Sequence, residues 1–212
     1  AMILSYTRGI RHAYTSQLAH HWSQGEVSLS TVSGSQLCIV GAGAIGQALA
    51  SKSVALGMNV IGVSRTGQPQ KNFEHMYVTS ELSQAISQAD IVVLLTPLTS
   101  ETFHLFDHQT FSAMKKGSCF INISRGETVD EAALLENLTN GKLSFAGLDV
   151  FEKEPLTAQS PFWDLPNVLI TPHSAGDIDD YLPRAMAIFS GVLSDFLQDK
   201  VIRNRVDLEL GY

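Results

Sequence analysis

Between Leu37 and Ala50 the chain reads Leu37-Cys-Ile-Val-Gly-Ala-Gly-Ala-Ile-Gly-Gln-Ala-Leu-Ala50, an apolar run that breaks into Gly41, Gly43 and Gly46 and resumes with helical spacing. The pattern predicts a strand, a tight turn and the start of a helix, the opening of a βαβ unit. Gly41 allows the turn, Gly43 lets backbone come close to a pyrophosphate, and Gly46 lets the helix pack tightly on the strand; Ala44 and Ile45 complete the loop. The unpaired N–H groups and positive dipole end of such a helix suit a diphosphate. Glycine-rich turns also serve hairpins and helix caps, so the strand before the turn and the helix after it carry the weight.

From Gln36 onward short apolar runs alternate with helical segments. Strands are expected at 36–40, 59–63, 75–78, 90–95, 118–123, 144–150 and 168–170, and helices at 44–56, 80–88, 101–114 (interrupted) and 130–140. A strand buried on both faces reads as a continuous apolar run, as Ile91-Val-Val-Leu-Leu95 does. The expectation is an α/β fold, a doubly wound parallel sheet. Ahead of it, residues 1–24 have helical spacing, with Ile3, Leu4, Ile10, Ala13, Leu18, Ala19 and Trp22 forming an apolar stripe wide enough to require a partner. No cap residue precedes Met2, so the chain is expected to open inside a helix of a longer protein. Residues 25–34 are polar and Ser-rich, a connector. After Pro172 a long helix is expected at roughly 178–198, then an irregular return strand over 201–212. No internal repeat or low-complexity tract is present.

With 212 residues, 44% of them hydrophobic, the chain can bury the core of one large or two small domains. Its 14 basic and 21 acidic residues give a net charge of −7. No block of Lys or Arg could neutralise a phosphate backbone, which argues against nucleic acid as a partner. No apolar run is long enough to span a bilayer, and the N-terminus lacks the order of a signal peptide, so a membrane partner is not expected either. Cys38 and Cys119 both fall inside apolar strand-like runs. Buried reduced thiols in a cytoplasmic protein are the expectation, with no disulfide and no metal.

About twenty residues past the glycines, where this fold places a carboxylate on the adenosine ribose, the sequence reads Val63-Ser64-Arg65-Thr66-Gly67. An Arg flanked by the hydroxyls of Ser64 and Thr66 suits a 2′-phosphate, which points to NADP(H) in preference to NAD(H). Three further polar residues each follow a strand: Arg125, Glu154 and His173. Carboxyl ends of parallel strands are where such sheets bind ligands, so the three can converge on one crevice. Each taken singly has a bland alternative: a surface pairing residue, a loop charge before Pro155, a turn histidine after Pro172. Together they match the needs of 2-keto acid reduction. Histidine titrates near neutral pH and can give or take a proton. A carboxylate on its other ring nitrogen fixes the tautomer, the task suited to Glu154. Arg125 can grip a carboxylate with two parallel hydrogen bonds. Asp149 could face the nicotinamide or cap the next turn.

With those residues in hand, the sequence resembles the D-isomer-specific 2-hydroxyacid dehydrogenase family, which includes glyoxylate/hydroxypyruvate reductases and phosphoglycerate dehydrogenases. Gly41-Ala-Gly-Ala-Ile-Gly46, Leu94-Leu-Thr-Pro-Leu-Thr-Ser-Glu-Thr102, Phe120-Ile-Asn-Ile-Ser-Arg-Gly-Glu-Thr-Val-Asp-Glu131, Gly147-Leu-Asp-Val-Phe-Glu-Lys-Glu-Pro155 and Leu165-Pro-Asn-Val-Leu-Ile-Thr-Pro-His173 are similar, in order, to its motifs. The resemblance gives Arg125, Glu154 and His173 the catalytic places and Asp149 the nicotinamide-side carboxylate. It sets Thr96 and Pro97 along the adenosine and ribose, and Ile123 and Ser124 along the nicotinamide. Ala175 and Gly176 are carried over as cofactor contacts, with Asp177 where relatives often have Thr. It also implies 1–24 as an inter-domain and dimerisation helix, 25–178 as the dinucleotide-binding domain and 179–212 as the returning helix and tail of a substrate domain. The first hundred or so residues of that domain are expected to be missing, so the chain is expected to bind cofactor but turn over poorly alone. A homodimer acting on a small 2-keto or 2-hydroxy acid is implied. A dinucleotide-sensing interaction protein, like the corepressors that resemble this family, is the competing expectation.

Overall fold

Every apolar run singled out above forms a strand. In the computed structural model, which describes residues 1–202 together with 205, 206 and 208, β1 (Gln36–Val40), β2 (Asn59–Ser64), β3 (His75–Val78), β4 (Ile91–Leu94), β5 (Ser118–Asn122), β6 (Leu143–Leu148) and β7 (Val168–Ile170) make one sheet. Its order is β3-β2-β1-β4-β5-β6-β7, and every neighbouring pair is parallel. The order reverses between β1 and β4, the topological switch point at which such sheets open a crevice.

Alternation along each strand splits its side chains between two apolar layers. Cys38 and Val40 of β1, Val92 and Leu94 of β4 and Phe120 of β5 face one layer, covered by α4 (Leu82–Ile86), α5 (His108–Ala113) and α6 (Glu131–Thr139). There Phe106, Phe111 and Phe120 meet with ring centroids 4.9–5.5 Å apart. Burying each such ring contributes about 1.5–3 kcal/mol. Leu37, Ile39, Val93 and Ile121 face the other layer, covered by α1 (Met2–Thr7) and α3 (Ala44–Ala55). Tyr6 of α1 lies with its ring 5.3 Å from Phe145, and Gly147 on β6 gives the helix room, since a Cβ there would stand 2.7 Å from the Met2 sulfur.

The N-terminal segment corrects one expectation. Residues 1–24 do not form a single helix: α1 ends at Thr7, Gly9 adopts a left-handed φ of +59°, and α2 (Ile10–Leu18) begins after it. Glycine takes that conformation without the steric cost a Cβ would bring, and the change of direction lets α1 lie on the sheet while the Arg11 guanidinium of α2 donates to the Leu165 carbonyl. Residues 101–104 are turns and 105–107 are likewise not helical, Phe106 bridging Val129, because Asp107 caps α5 through the Thr110 N–H (2.8 Å) and starts it late.

The chain divides into two compact units, the first Ala1–Pro172 and the second beginning at His173. The second holds α7 (Tyr181–Leu197), where the long helix was expected; Leu182, Met186, Phe189, Leu193 and Phe196 along it are all exposed. The return strand expected over 201–212 lies largely outside the described residues. Among the described residues no helix is long and apolar enough to cross a membrane, and no group of His, Cys, Asp and Glu could hold a metal ion.

Candidate active site

The turn 41–46 joins β1 to α3. Gly41 has φ +107°, and a Cβ on it would press within 2.7–2.9 Å of the Leu95 and Thr96 backbone, so the chain ends of β1 and β4 touch across the switch point. At Gly46 a Cβ would lie 2.3 Å from the Gly41 carbonyl oxygen, the close helix-on-strand approach that its place in the motif requires. Gly43 is different. It caps α3 with extended backbone, and nothing lies within 4 Å of where its Cβ would be.

Ala44 and Ile45 open α3 on an exposed surface, Ile45 being 65% exposed. No side chain caps this helix and no acidic residue lies in its first turn, so its outward N–H groups and dipole are left to a ligand. Beside it, the Thr96 hydroxyl oxygen is buried with no hydrogen-bond partner among the described residues. An uncapped helix start, an open glycine face and an orphaned hydroxyl together fit a dinucleotide diphosphate and ribose. Next along the rim, Pro97 accepts at its carbonyl from Thr102 Oγ1 (2.6 Å). Ser64 ends β2 with its hydroxyl accepting from the Gly67 N–H at 3.1 Å, and Arg65 and Thr66 are exposed on the bend between them.

Past β5 the backbone is fixed by a polar knot. Asn122 Oδ1 accepts from Ser124 N (3.0 Å) and Ser124 Oγ (2.7 Å), while the Arg125 carbonyl accepts from Asn122 Nδ2 (3.1 Å) and Thr128 Oγ1 (2.6 Å). Ser124 is buried, Ile123 half-buried, and the Arg125 side chain is exposed, its guanidinium donating to the Ser124 carbonyl at 2.7 Å. Asp149, only 2% exposed, follows β6; its N–H donates to the Asn122 carbonyl (3.0 Å) and its carboxylate accepts from the Thr171 hydroxyl beyond β7. The turn to Glu154 closes as the Phe151 N–H donates to Glu154 Oε1 at 3.0 Å. Gly126 binds the two segments together: a Cβ on it would overlap the Phe151 carbonyl carbon at 1.9 Å.

The structure thus brings Arg125, Asp149 and Glu154 to the same carboxyl-terminal rim of the first unit. His173, exposed with a left-handed φ of +52°, and Ala175 and Gly176 belong to the second unit. Asn122, Gly126, Thr128 and Thr171 escaped the sequence reading. The usable signal was Asn122, a polar residue closing an otherwise apolar strand. The thiols stand apart from this chemistry, since burial pushes Cys38 up to about 12 and raises Cys119 as well, leaving both protonated.

Sheet order, glycine turn and uncapped helix define a dinucleotide-binding α/β domain of the Rossmann type. The chain belongs to the D-isomer specific 2-hydroxyacid dehydrogenase family, residues 1–175 matching the model of its NAD-binding domain. Glyoxylate/hydroxypyruvate reductase B of Klebsiella pneumoniae subsp. pneumoniae is 39% identical over 197 residues, 92% of this chain and 59% of that protein. The chain therefore spans about three fifths of the length of that curated relative. Among solved structures, an NADPH-dependent glyoxylate/hydroxypyruvate reductase from Sinorhizobium meliloti, in complex with NADP and sulfate, superposes with a TM-score of 0.90 at 32% identity, over 100% of this chain and 67% of that one. A phosphoglycerate dehydrogenase from Lactobacillus plantarum gives 0.81 at 40% identity, over 97% and 67%.

Proposed function

We propose that the protein is an NAD(P)H-dependent reductase of small 2-keto acids, of the glyoxylate/hydroxypyruvate or phosphoglycerate kind, with NADP(H) preferred over NAD(H). The observation that carries the reading is the interlock of the Arg125 and Glu154 segments at Gly126, one strand away from the crossing of Gly41 with Leu95. When bound, the reduced nicotinamide supplies a hydride to C2 of the keto acid. Arg125 holds the substrate carboxylate through paired N–H donors and polarises the carbonyl. His173 gives a ring-nitrogen proton to the carbonyl oxygen, which becomes the hydroxyl. Glu154 is assigned the part of the carboxylate partner that would keep the proton-donating form of an imidazole in place and stabilise the imidazolium before transfer. Asp149, Ile123 and Ser124 are assigned to the nicotinamide side and Thr96 and Pro97 to the adenosine ribose, and the family resemblance assigns Ala175 and Gly176 to the cofactor as well. Arg65, between Ser64 and Thr66, takes the 2′-phosphate. The NADP named with the Sinorhizobium meliloti relative supports this choice of cofactor.

In this reading 1–24, folded as α1 and α2, is the inter-domain and dimerisation element, 25–178 the dinucleotide-binding domain, and 179–212 the returning helix and tail of a substrate domain. Exposed Ile10, Tyr14 and Leu18 on α2, with Trp22 beyond its end, support a second copy covering this segment in a cytoplasmic homodimer. The test is made on the full-length protein, by titration with NADPH and NADH followed through nicotinamide fluorescence and by turnover of glyoxylate, hydroxypyruvate and a phosphorylated 2-keto acid. NADPH is expected to bind more tightly, and His173→Ala to lower turnover roughly a hundred-fold or more with NADPH affinity unchanged. Arg65→Ala is expected to weaken NADPH and spare NADH. Cofactor binding without turnover of any 2-keto acid would overturn the enzyme reading in favour of a sensor.

A further inference from the structure

Behind the Glu154 turn two carboxylates face each other in an arrangement that helix capping alone does not need. Glu131 opens α6, and Glu152 lies midway through the turn that ends at Glu154. Each accepts from the other's backbone: Glu152 N–H donates to Glu131 Oε1 at 2.8 Å, and Glu131 N–H donates to Glu152 Oε1 at 3.3 Å. A third group completes the cluster, His104 Nε2 lying 3.2 Å from Glu152 Oε1. The N-terminus of α6 already has its cap in Asp130, which accepts from the Ala132 and Ala133 N–H groups at 2.9 and 3.1 Å. Burial raises the Glu131 carboxyl above the usual range; the Glu152 N–H bond pulls it back, and the Glu152 charge adds a smaller push upward.

We propose that Glu131, Glu152 and His104 are positioning residues, a clamp that holds the segment bearing Glu154 in register with Arg125 and ties it to the loop that starts at Thr96 and Pro97. The clamp reaches both sides. Gly126 lies against the Phe151 and Glu152 backbone, so fixing Glu152 fixes the contact through which the Arg125 and Glu154 segments meet. His104 is anchored in turn, its N–H donating to the Glu127 carbonyl at 2.9 Å and its ring stacked on Phe103 at 4.1 Å with an interplanar angle of 14°. Its backbone is left-handed, φ +48°, an uncommon conformation for a side-chain-bearing residue that the carboxylate contact and the stacking hold in place. Two reciprocal backbone-to-carboxylate hydrogen bonds and a histidine–carboxylate contact thus join three stretches distant in sequence around one turn.

The inference rests on the assignment of Arg125 and Glu154 to the reaction, and the test separates the two. In the full-length protein, Glu131→Ala is expected to speed amide hydrogen exchange at Phe151 and Glu152 while leaving 36–94 unchanged. It is also expected to lower kcat on the order of tenfold while KM for the keto acid and NADPH affinity stay within about twofold. Glu131→Gln, which keeps an acceptor oxygen for the Glu152 N–H, is expected to restore the exchange rates and most of kcat. If Glu131→Ala does not fold, His104→Ala carries the same comparison, with faster exchange and lower kcat expected in the same direction. Unchanged exchange at 151–152 overturns the clamp, and faster exchange with unaltered kcat overturns its positioning role. Absence of turnover in the unsubstituted protein overturns the proposed activity instead, while the exchange comparison still decides the clamp.

Discussion

Gly43 and Gly46 stand three positions apart in one turn, yet substitution should separate their roles. A Cβ on Gly46 would stand 2.3 Å from the Gly41 carbonyl oxygen, so α3 or the turn must shift to admit it. Overpacking of this kind costs about 1–3 kcal/mol, so Gly46→Ala is expected to lower urea stability by that order and to weaken NADPH binding. Gly43 has extended backbone and open space beyond its Cα. Gly43→Ala is therefore expected to leave the urea midpoint within experimental scatter while reducing NADPH affinity tenfold or more, because the new methyl would occupy the approach proposed for the diphosphate. Equal losses of stability in the two variants, or unimpaired binding by Gly43→Ala, would contradict this division. The motif made both glycines legible as a pair. What it could not convey is which neighbour each one meets, since Gly41, Leu95 and Thr96 come together only when β1 and β4 are adjacent. The same holds for Gly126 and Glu152, which meet Phe151 and Glu131 across the rim and not their own sequence neighbours.

Among the elements, strands were the most legible, because burial on both faces writes itself as a continuous apolar run and needs no turn chemistry to be read. Helix extents were harder. Apolar spacing runs through 1–24, but Gly9 breaks it, and the periodicity carries no term for a left-handed residue. Over 101–107, Thr102 spends its hydroxyl on the Pro97 carbonyl and the Thr99 N–H, favouring turns, and Asp107 then starts α5. That cap yields a prediction with a definite pH window. The Thr110 N–H bond, outweighing burial, holds the Asp107 carboxyl below the usual carboxylate range. A depressed folded-state value stabilises the fold above the unfolded-state value and loses that contribution as pH falls through the folded one. Asp107→Ala is accordingly expected to cost about 1 kcal/mol near pH 7, the ordinary worth of an N-cap, and progressively less below about pH 4. Urea titrations of both proteins across that range check it. A difference that persists undiminished at pH 2 would mean that Asp107 acts through packing and not through its charge.

At the scale of the whole molecule, the parallel sheet and its switch point follow from alternation of runs and helices, whereas the surface that covers α7 does not. Its apolar positions repeat with helical spacing, and that local pattern specifies a helix without specifying its partner. The rim proposed for the nucleotide, by contrast, draws on β1, β2 and β4 of the first unit at once, so a ligand bound there would stabilise the sheet as a body. A ligand that binds only the folded state at a hundred times its Kd adds about 2.7 kcal/mol. For a unit of this size each kcal/mol moves the melting temperature by about 2–4 °C, so NADPH at that excess is expected to raise it by about 5–10 °C. If Arg65 takes the 2′-phosphate as proposed, NADH at the same concentration should raise it less, and Arg65→Ala should bring the two cofactors level. A melting temperature indifferent to both nucleotides at millimolar concentration would mean that the uncapped start of α3 does not hold a dinucleotide. An equal rise with both would move the preference away from NADP(H) while leaving the crevice in place.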